Sequence, residues 1–176
     1  MKKIITILLS LTILFTAGCD YTTFLSENQG LPLDDNILGT WKYGKDEDKT
    51  FIIISKYSES EYAVRMFEKG EEKEIRFLGY PIKIGNFYCI QIILQLKDNP
   101  KQKYMVITYE VSDNKLIVKK LNTRLLGVDA KTSSDLKKLF FKYKDSPKLF
   151  TDLQIYERVK TTNPVTSTKP AVIKRN

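Results

Sequence analysis

The stretch YMVITYEVSDNKLIVKKL, residues 104–121, decides the fold. Met105, Ile107, Tyr109 and Val111 alternate with Tyr104, Thr108 and Glu110, the period-two pattern of a strand that buries one face. Ser112-Asp113-Asn114 then supplies turn chemistry, and Lys115 to Leu121 resumes in apolar and β-branched residues. Two antiparallel strands joined by a tight link are expected here.

Working toward the N-terminus, the pattern repeats. In Phe87 to Leu96, Tyr88, Ile90, Ile92, Leu94 and Leu96 share one face while Gln91 and Gln95 take the other. Gly39 to Tyr43, Thr50 to Lys56, Glu61 to Glu68 and a broken run from Lys73 to Ile84 read as four earlier strands, rich in Ile, Val, Tyr and Phe. In the third of them Tyr62, Val64 and Met66 oppose Ala63, Arg65 and Phe67. The gaps carry turn residues: Gly44-Lys45-Asp46, Lys69-Gly70-Glu71, Gly85-Asn86 and Asp98-Asn99-Pro100.

Toward the C-terminus the period changes. From Ser134 on, Leu136, Leu139, Phe140 and Tyr143 fall at helical spacing; Ser133 or Ser134 suits the cap, Asp135 suits the first turn, and Pro147 stops the helix. Leu153 to Lys160 returns to alternation, with Leu153, Ile155 and Val159 against Gln154, Tyr156 and Arg158. Consecutive strands with short polar links form antiparallel hairpins, and closure removes the exposed edges of a long meander. The expected fold is therefore mainly β, an antiparallel meander barrel of about eight strands with one helix before the last, and a two-sheet β-sandwich is the alternative. Such a barrel is just wide enough to be filled by side chains or to hold one small ligand.

The barrel domain is expected over 37–160. Asp20 to Asn36 lacks apolar periodicity and reads as a flexible tether, and TTNPVTSTKPAVIKRN at 161–176 reads as a disordered basic tail. The first nineteen residues, MKKIITILLSLTILFTAGC, carry a positive start at Lys2 and Lys3, an apolar run from Ile4 to Phe15 and small residues before Cys19. The apolar run falls short of the roughly 20 residues that cross a bilayer. This layout resembles a bacterial lipoprotein signal, with Thr16 where that family usually has Leu. The resemblance implies a signal peptide over 1–18, diacylglycerol on the Cys19 thiol, cleavage before it and acylation of the new amine. Two or more acyl chains hold a protein firmly on a membrane, where one binds marginally. The expected location is the cell envelope, exported and membrane-anchored, with the inner or outer membrane left open.

Loss of residues 1–18 takes two lysines from the 29 basic side chains, leaving 27 against 21 acidic ones and a net charge of +6. That balance suits anionic lipid headgroups, wall polymers or acidic partners, and equally suits plain solubility. No aromatic-and-basic motif of a nucleic-acid reader is present, so nucleic acid is not an expected partner. If Cys19 carries lipid, Cys89 stands alone, and a disulfide-free domain must rely on its core. Inside the apolar run, Cys89 reads as a buried inert thiol.

Leu38-Gly39-Thr40-Trp41, at the head of the first strand, resembles the Gly-x-Trp motif that opens lipocalins and related calycin barrels. The resemblance implies that Trp41 packs across the closed end of the barrel with a basic residue from near the last strand over it, Arg158 first and Lys160 second. It extends over Ile37 to Lys160 in architecture and transfers no ligand. The helix departs from the family, which places its main helix after the eighth strand.

Catalytic chemistry is sparse. The chain has no histidine, which removes the commonest general base near neutral pH, the Ser-His-Asp triad and the commonest metal ligand. Asp34-Asp35, Asp46 with Asp48, and Glu71-Glu72 with Glu74 sit in polar linkers and read as solvated charge; no Gly-rich phosphate loop occurs. A non-enzymatic protein without metal or cofactor is expected. In one reading the barrel binds a small apolar or amphipathic ligand, with a lumen drawn from Trp41, Tyr62, Val64, Met66, Tyr88, Ile90, Ile92, Met105, Ile107 and Tyr109. In the other the barrel is filled and its outside binds a protein or envelope polymer, as in an assembly, inhibitor or immunity role. A carrier needs a cavity of roughly 300 Å³ or more.

Overall fold

The computed structural model describes residues 23–27, 30–43, 50–68, 74–94, 103–126, 130 and 132–159. The signal segment with Cys19, the turns at 44–46, 69–71 and 98–100, Leu96, Lys160 and the tail at 161–176 lie outside the described residues.

Eight strands form one closed antiparallel barrel in sequence order. They are β1 (Gly39–Tyr43), β2 (Thr50–Lys56), β3 (Tyr62–Glu68), β4 (Glu74–Ile84), β5 (Phe87–Leu94), β6 (Lys103–Ser112), β7 (Lys115–Leu121) and β8 (Phe150–Arg158). Each pairs with the next, and β8 returns to β1 through Trp41 opposite Arg158 and Lys42 opposite Glu157. That closure excludes the sandwich and leaves no free strand edge. The hairpin read first in the sequence forms with Ser112 opposite Lys115. Asp113 and Asn114 both take positive φ, 49° and 61°, as a two-residue turn matched to strand twist requires.

Two cores lie on opposite sides of the same sheet. Inside the barrel, Ile37, Trp41, Tyr62, Phe77, Ile90, Leu116 and Tyr156 form one cluster. Outside it, Tyr80, Ile82, Ile84, Cys89 and Val106 meet Leu121, Leu126, Leu136, Phe140 and Leu149. A one-turn helix, Thr123–Leu126, and a ten-residue helix, Ser133–Lys142, cover that outer face. Phe140 contacts the ring of Phe87 edge-on at 5.3 Å. Strand β4 is therefore buried on both faces over much of its length, which is why it reads as a broken alternation in sequence.

The structure corrects four details. The helix cap is Thr132, not Ser133 or Ser134: its hydroxyl accepts from the Asp135 amide at 3.1 Å and donates to the Asp135 carboxylate at 2.7 Å. The helix also ends at Lys142, well before Pro147.

Strand β8 faces the other way from its apolar alternation. Between Val118 opposite Gln154 and Lys120 opposite Thr151, two steps on β7 face three on β8, and Asp152 takes φ 54°. This bulge helps aim Gln154 and Tyr156 at the lumen and leaves Leu153 and Ile155 outside at 57% and 45% exposure.

The described part of the expected tether is packed on the barrel. Leu25 is fully buried in the outer core, and Asp35–Ile37 forms a 3-10 turn with Ile37 in the inner one. The reason is Gln91. Expected simply on the polar face of β5, it is completely buried. Its Oε1 accepts from the amides of Leu25 at 2.7 Å and Ser26 at 3.2 Å, and its Nε2 donates to the Ser26 carbonyl at 3.2 Å and to the Tyr80 hydroxyl. A side-chain amide has the donor and acceptor of a peptide group, so Gln91 holds the incoming backbone as a neighbouring strand would.

Candidate functional site: a small apolar lumen stoppered at one end

The inward faces of the strands enclose a cavity of about 110 Å³. Of the residues expected there, Tyr62, Val64, Met66, Ile90, Ile92, Met105, Ile107 and Tyr109 line it. Trp41 and Tyr88 do not. Ile52, Ile54, Phe77, Leu116 and Val118 complete the apolar wall, and Ile37, Lys120, Gln154 and Tyr156 join it. Strand parity puts Ile52 with Ile54 and Leu116 with Val118 on one face, but continuous apolar runs in β2 and β7 do not mark that face as the inner one. Nothing local marks Ile37, which precedes the strands.

Tyr88 shares the inward parity of Ile90 and Ile92, but β5 starts beyond the stoppered end. Its ring is 62% exposed, with the Lys83 ammonium 5.0 Å from its centroid. It borders a solvent-open depression of about 450 Å³ with Asp34, Asn36, Tyr109, Glu110 and Val111.

The stopper is built from the turn before β1. Ile37 inserts into the barrel, and its carbonyl accepts from the Trp41 indole Nε1 at 2.8 Å. Trp41 is completely buried, and the Arg158 guanidinium carbon lies 4.1 Å from its ring centroid. Arg158 also donates from Nη1 to the Leu38 carbonyl at 2.8 Å and from Nη2 to the Asn36 carbonyl at 2.5 Å. Gly39 makes room for this: it takes φ 124°, and a Cβ there would sit 3.0 Å from Arg158 Nη1. Asp34 ties the turn to the far wall. Its amide donates to the Tyr62 hydroxyl at 2.7 Å, its Oδ2 accepts from the Tyr109 hydroxyl at 3.0 Å, and its Oδ1 accepts from the Asn36 amide at 2.9 Å.

Burial sets the electrostatics. It pushes the Tyr62, Tyr109 and Tyr156 hydroxyls above the ordinary phenol range, and the Asp34 charge adds to the effect at Tyr109. Cys89, in the outer core, is pushed up to about 12 by burial alone and faces away from the lumen. Among the described residues no group of three His, Cys, Asp or Glu side chains could hold a metal ion. The lumen wall is mainly apolar, and its polar side chains come from β3, β6, β7 and β8. The chain matches no protein-family model, and no curated protein and no solved structure is significantly similar to it.

Proposed function

We propose that the chain is an exported lipoprotein, tethered to a membrane through acyl chains on Cys19, whose barrel binds a small apolar or amphipathic molecule without transforming it. The observation that carries the ligand reading is the cavity of about 110 Å³ walled mainly by aliphatic and aromatic side chains inside a closed, end-stoppered barrel. Its size narrows the ligand. It does not reach the roughly 300 Å³ expected of a carrier from the sequence, which rules out drug-sized ligands in this conformation. It approaches the roughly 150 Å³ apolar cavity that takes benzene. A long fatty acid or a diacyl lipid does not fit this conformation; a short chain or a single ring does. The Trp41–Arg158 stack at the stoppered end favours the calycin resemblance.

The anchoring half rests on the layout of residues 1–19. With Leu25 locked by Gln91, the leash from Cys19 is six residues long and reaches at most about 20 Å, which keeps the barrel close to the membrane. Replacing Cys19 with Ala abolishes acyl labelling and leaves the protein at precursor length or released; unchanged membrane retention of that variant overturns the anchoring.

Native mass spectrometry of the mature chain against benzene-sized and long-chain probes tests the lumen. One-to-one adducts with the small probes and none with palmitate are expected, and no small-probe adduct at any concentration sinks the reading. A second reading rests on Leu153 and Ile155, exposed on the outside of β8, with Ile155 paired to Ile117. That strip suits a protein or envelope-polymer partner, and Ile155→Asp would then abolish association while leaving the lumen untouched.

A further inference from the structure

Lys120 is the anomaly of the lumen. It is 8% exposed, lines the cavity from β7, and stands opposite Ile107 on β6 and Thr151 on β8. Its surroundings on the wall are Met105, Ile107 and Val118. Among the described residues no hydrogen bond or ion pair reaches its ammonium. Buried cations are otherwise paired, because an ammonium removed from water without a counter-charge is strongly unfavourable. Lysines at barrel rims usually extend their heads to solvent along an apolar stem; Lys120 instead lines the lumen and is enclosed over nearly all of its surface.

A second donor shares the cavity. Gln154 lies on β8 beside Val118, and its Oε1 is occupied by the Tyr156 hydroxyl at 2.8 Å. Its Nε2 carries no hydrogen bond among the described residues. Lys120 and Gln154, on adjacent strands, both line a cavity whose surface is otherwise almost wholly apolar, and their ammonium and amide N–H are the donors that a carboxylate with a short hydrocarbon tail requires. The β-bulge at Lys120 puts them there, since it sets the face that β8 presents.

We infer that Lys120, assisted by Gln154, receives the carboxylate of a small monocarboxylate whose tail fills the lumen. This rests on the lumen being a binding site and names its ligand class. The carboxylate supplies the counter-charge that no described residue provides, and the apolar wall supplies the hydrophobic part of the affinity. The cavity volume restricts the tail to about the size of a benzene ring. Hexanoate and benzoate are therefore suitable probes, with hexanol as the uncharged control.

The test is a titration of the full mature chain followed by methyl NMR of Met105, Ile107 and Val118, with wild type, Lys120→Met and Lys120→Gln compared. Hexanoate is expected to saturate those methyl shifts one-to-one. Lys120→Met is expected to weaken hexanoate at least about tenfold while hexanol affinity holds or rises, as loss of a charge-assisted hydrogen bond requires. Lys120→Met is also expected to raise the thermal midpoint of the unliganded protein, because a buried unpaired charge is removed. Lys120→Gln removes the charge on a shorter, polar stem and serves if the methionine variant does not fold.

Hexanoate affinity unchanged in both variants overturns the role of Lys120 and leaves the lumen reading standing. Hexanol binding with no hexanoate binding overturns the carboxylate. If neither probe moves the lumen methyls of wild type, the lumen reading itself fails.

Discussion

Removing the Arg158 side chain tests whether a cation stacked on a ring holds one end of the barrel shut. The guanidinium carbon lies 4.1 Å from the Trp41 centroid, and two N–H groups reach the Leu38 and Asn36 carbonyls. A cation over an indole contributes about 0.5–2 kcal/mol. Hydrogen bonds from charged groups contribute about 1.5–3 kcal/mol when shielded, and less where solvent competes, as at Asn36. Because these terms overlap, Arg158→Ala is expected to cost about 2–4 kcal/mol.

Trp41→Ala removes a fully buried ring and its bond to the Ile37 carbonyl, and is expected to cost about 3–5 kcal/mol. The two side chains touch each other and hold the same 3-10 turn, so the double variant should lose less than the sum, with a coupling of about 1–2 kcal/mol. Arg158→Lys keeps the charge and loses the fork, so it should fall between wild type and Arg158→Ala. Urea unfolding of the four members of the cycle and of Arg158→Lys, with constant m-value as the check on two-state behaviour, measures all of this. Additivity within about 0.3 kcal/mol would refute the stack as an energetic unit, since that is the behaviour of independent sites.

Gln91→Leu removes the acceptor for the Leu25 and Ser26 amides, so the N-terminal segment should detach and expose Leu25. The cost is capped by that detachment at about 2–3 kcal/mol, and hydrogen exchange of the Leu25 and Ser26 amides should lose its protection; protection retained there contradicts the latch.

At alkaline pH the raised groups work in one direction: Cys89, held up near 12, and Tyr62, Tyr109 and Tyr156, also raised, stay neutral in the fold while the unfolded chain ionises. Their contribution is complete below the unfolded thiol value of about 8.5 and is lost as pH climbs toward 12 and beyond, the phenols joining from about 10. Cys89→Val should flatten the first part of that decline, and rapid reaction of the native thiol with Ellman's reagent at pH 8 would contradict its burial.

Much of the barrel is legible in local chemistry. Alternation in Met105, Ile107, Tyr109 and Val111, the Asp113-Asn114 turn and the short spacing of the runs are properties of a few neighbouring residues, and they specify strands, hairpins and antiparallel order. Gly39 and Trp41 likewise mark the start of the first strand. Eight of the ten lumen residues expected from the sequence line the cavity because a strand cannot change the parity of its side chains without an irregularity.

What failed to read out depends on distant partners. Tyr88 has inward parity and stands outside because β5 begins beyond the stopper, a matter of register between strands. Leu153 and Ile155 look like core and face solvent because one extra residue at Asp152–Leu153 turns β8. Gln91 looks polar-out and is completely buried because the returning N-terminal segment and the outer core cover it.

The sequence by itself determined that this chain makes an eight-stranded antiparallel meander with one substantial helix, because hydrophobic period and turn chemistry act over a few residues. Tertiary structure alone decided that the sheet closes on itself, that the described part of the tether packs on the barrel wall, and that Lys120 lines the lumen with no ion pair among the described residues. Alternation marks the enclosed face where the other face is polar, but where a strand is buried on both sides, as β4 is, or turned by a bulge, as β8 is, only closure of the sheet and the covering helix decide the outcome.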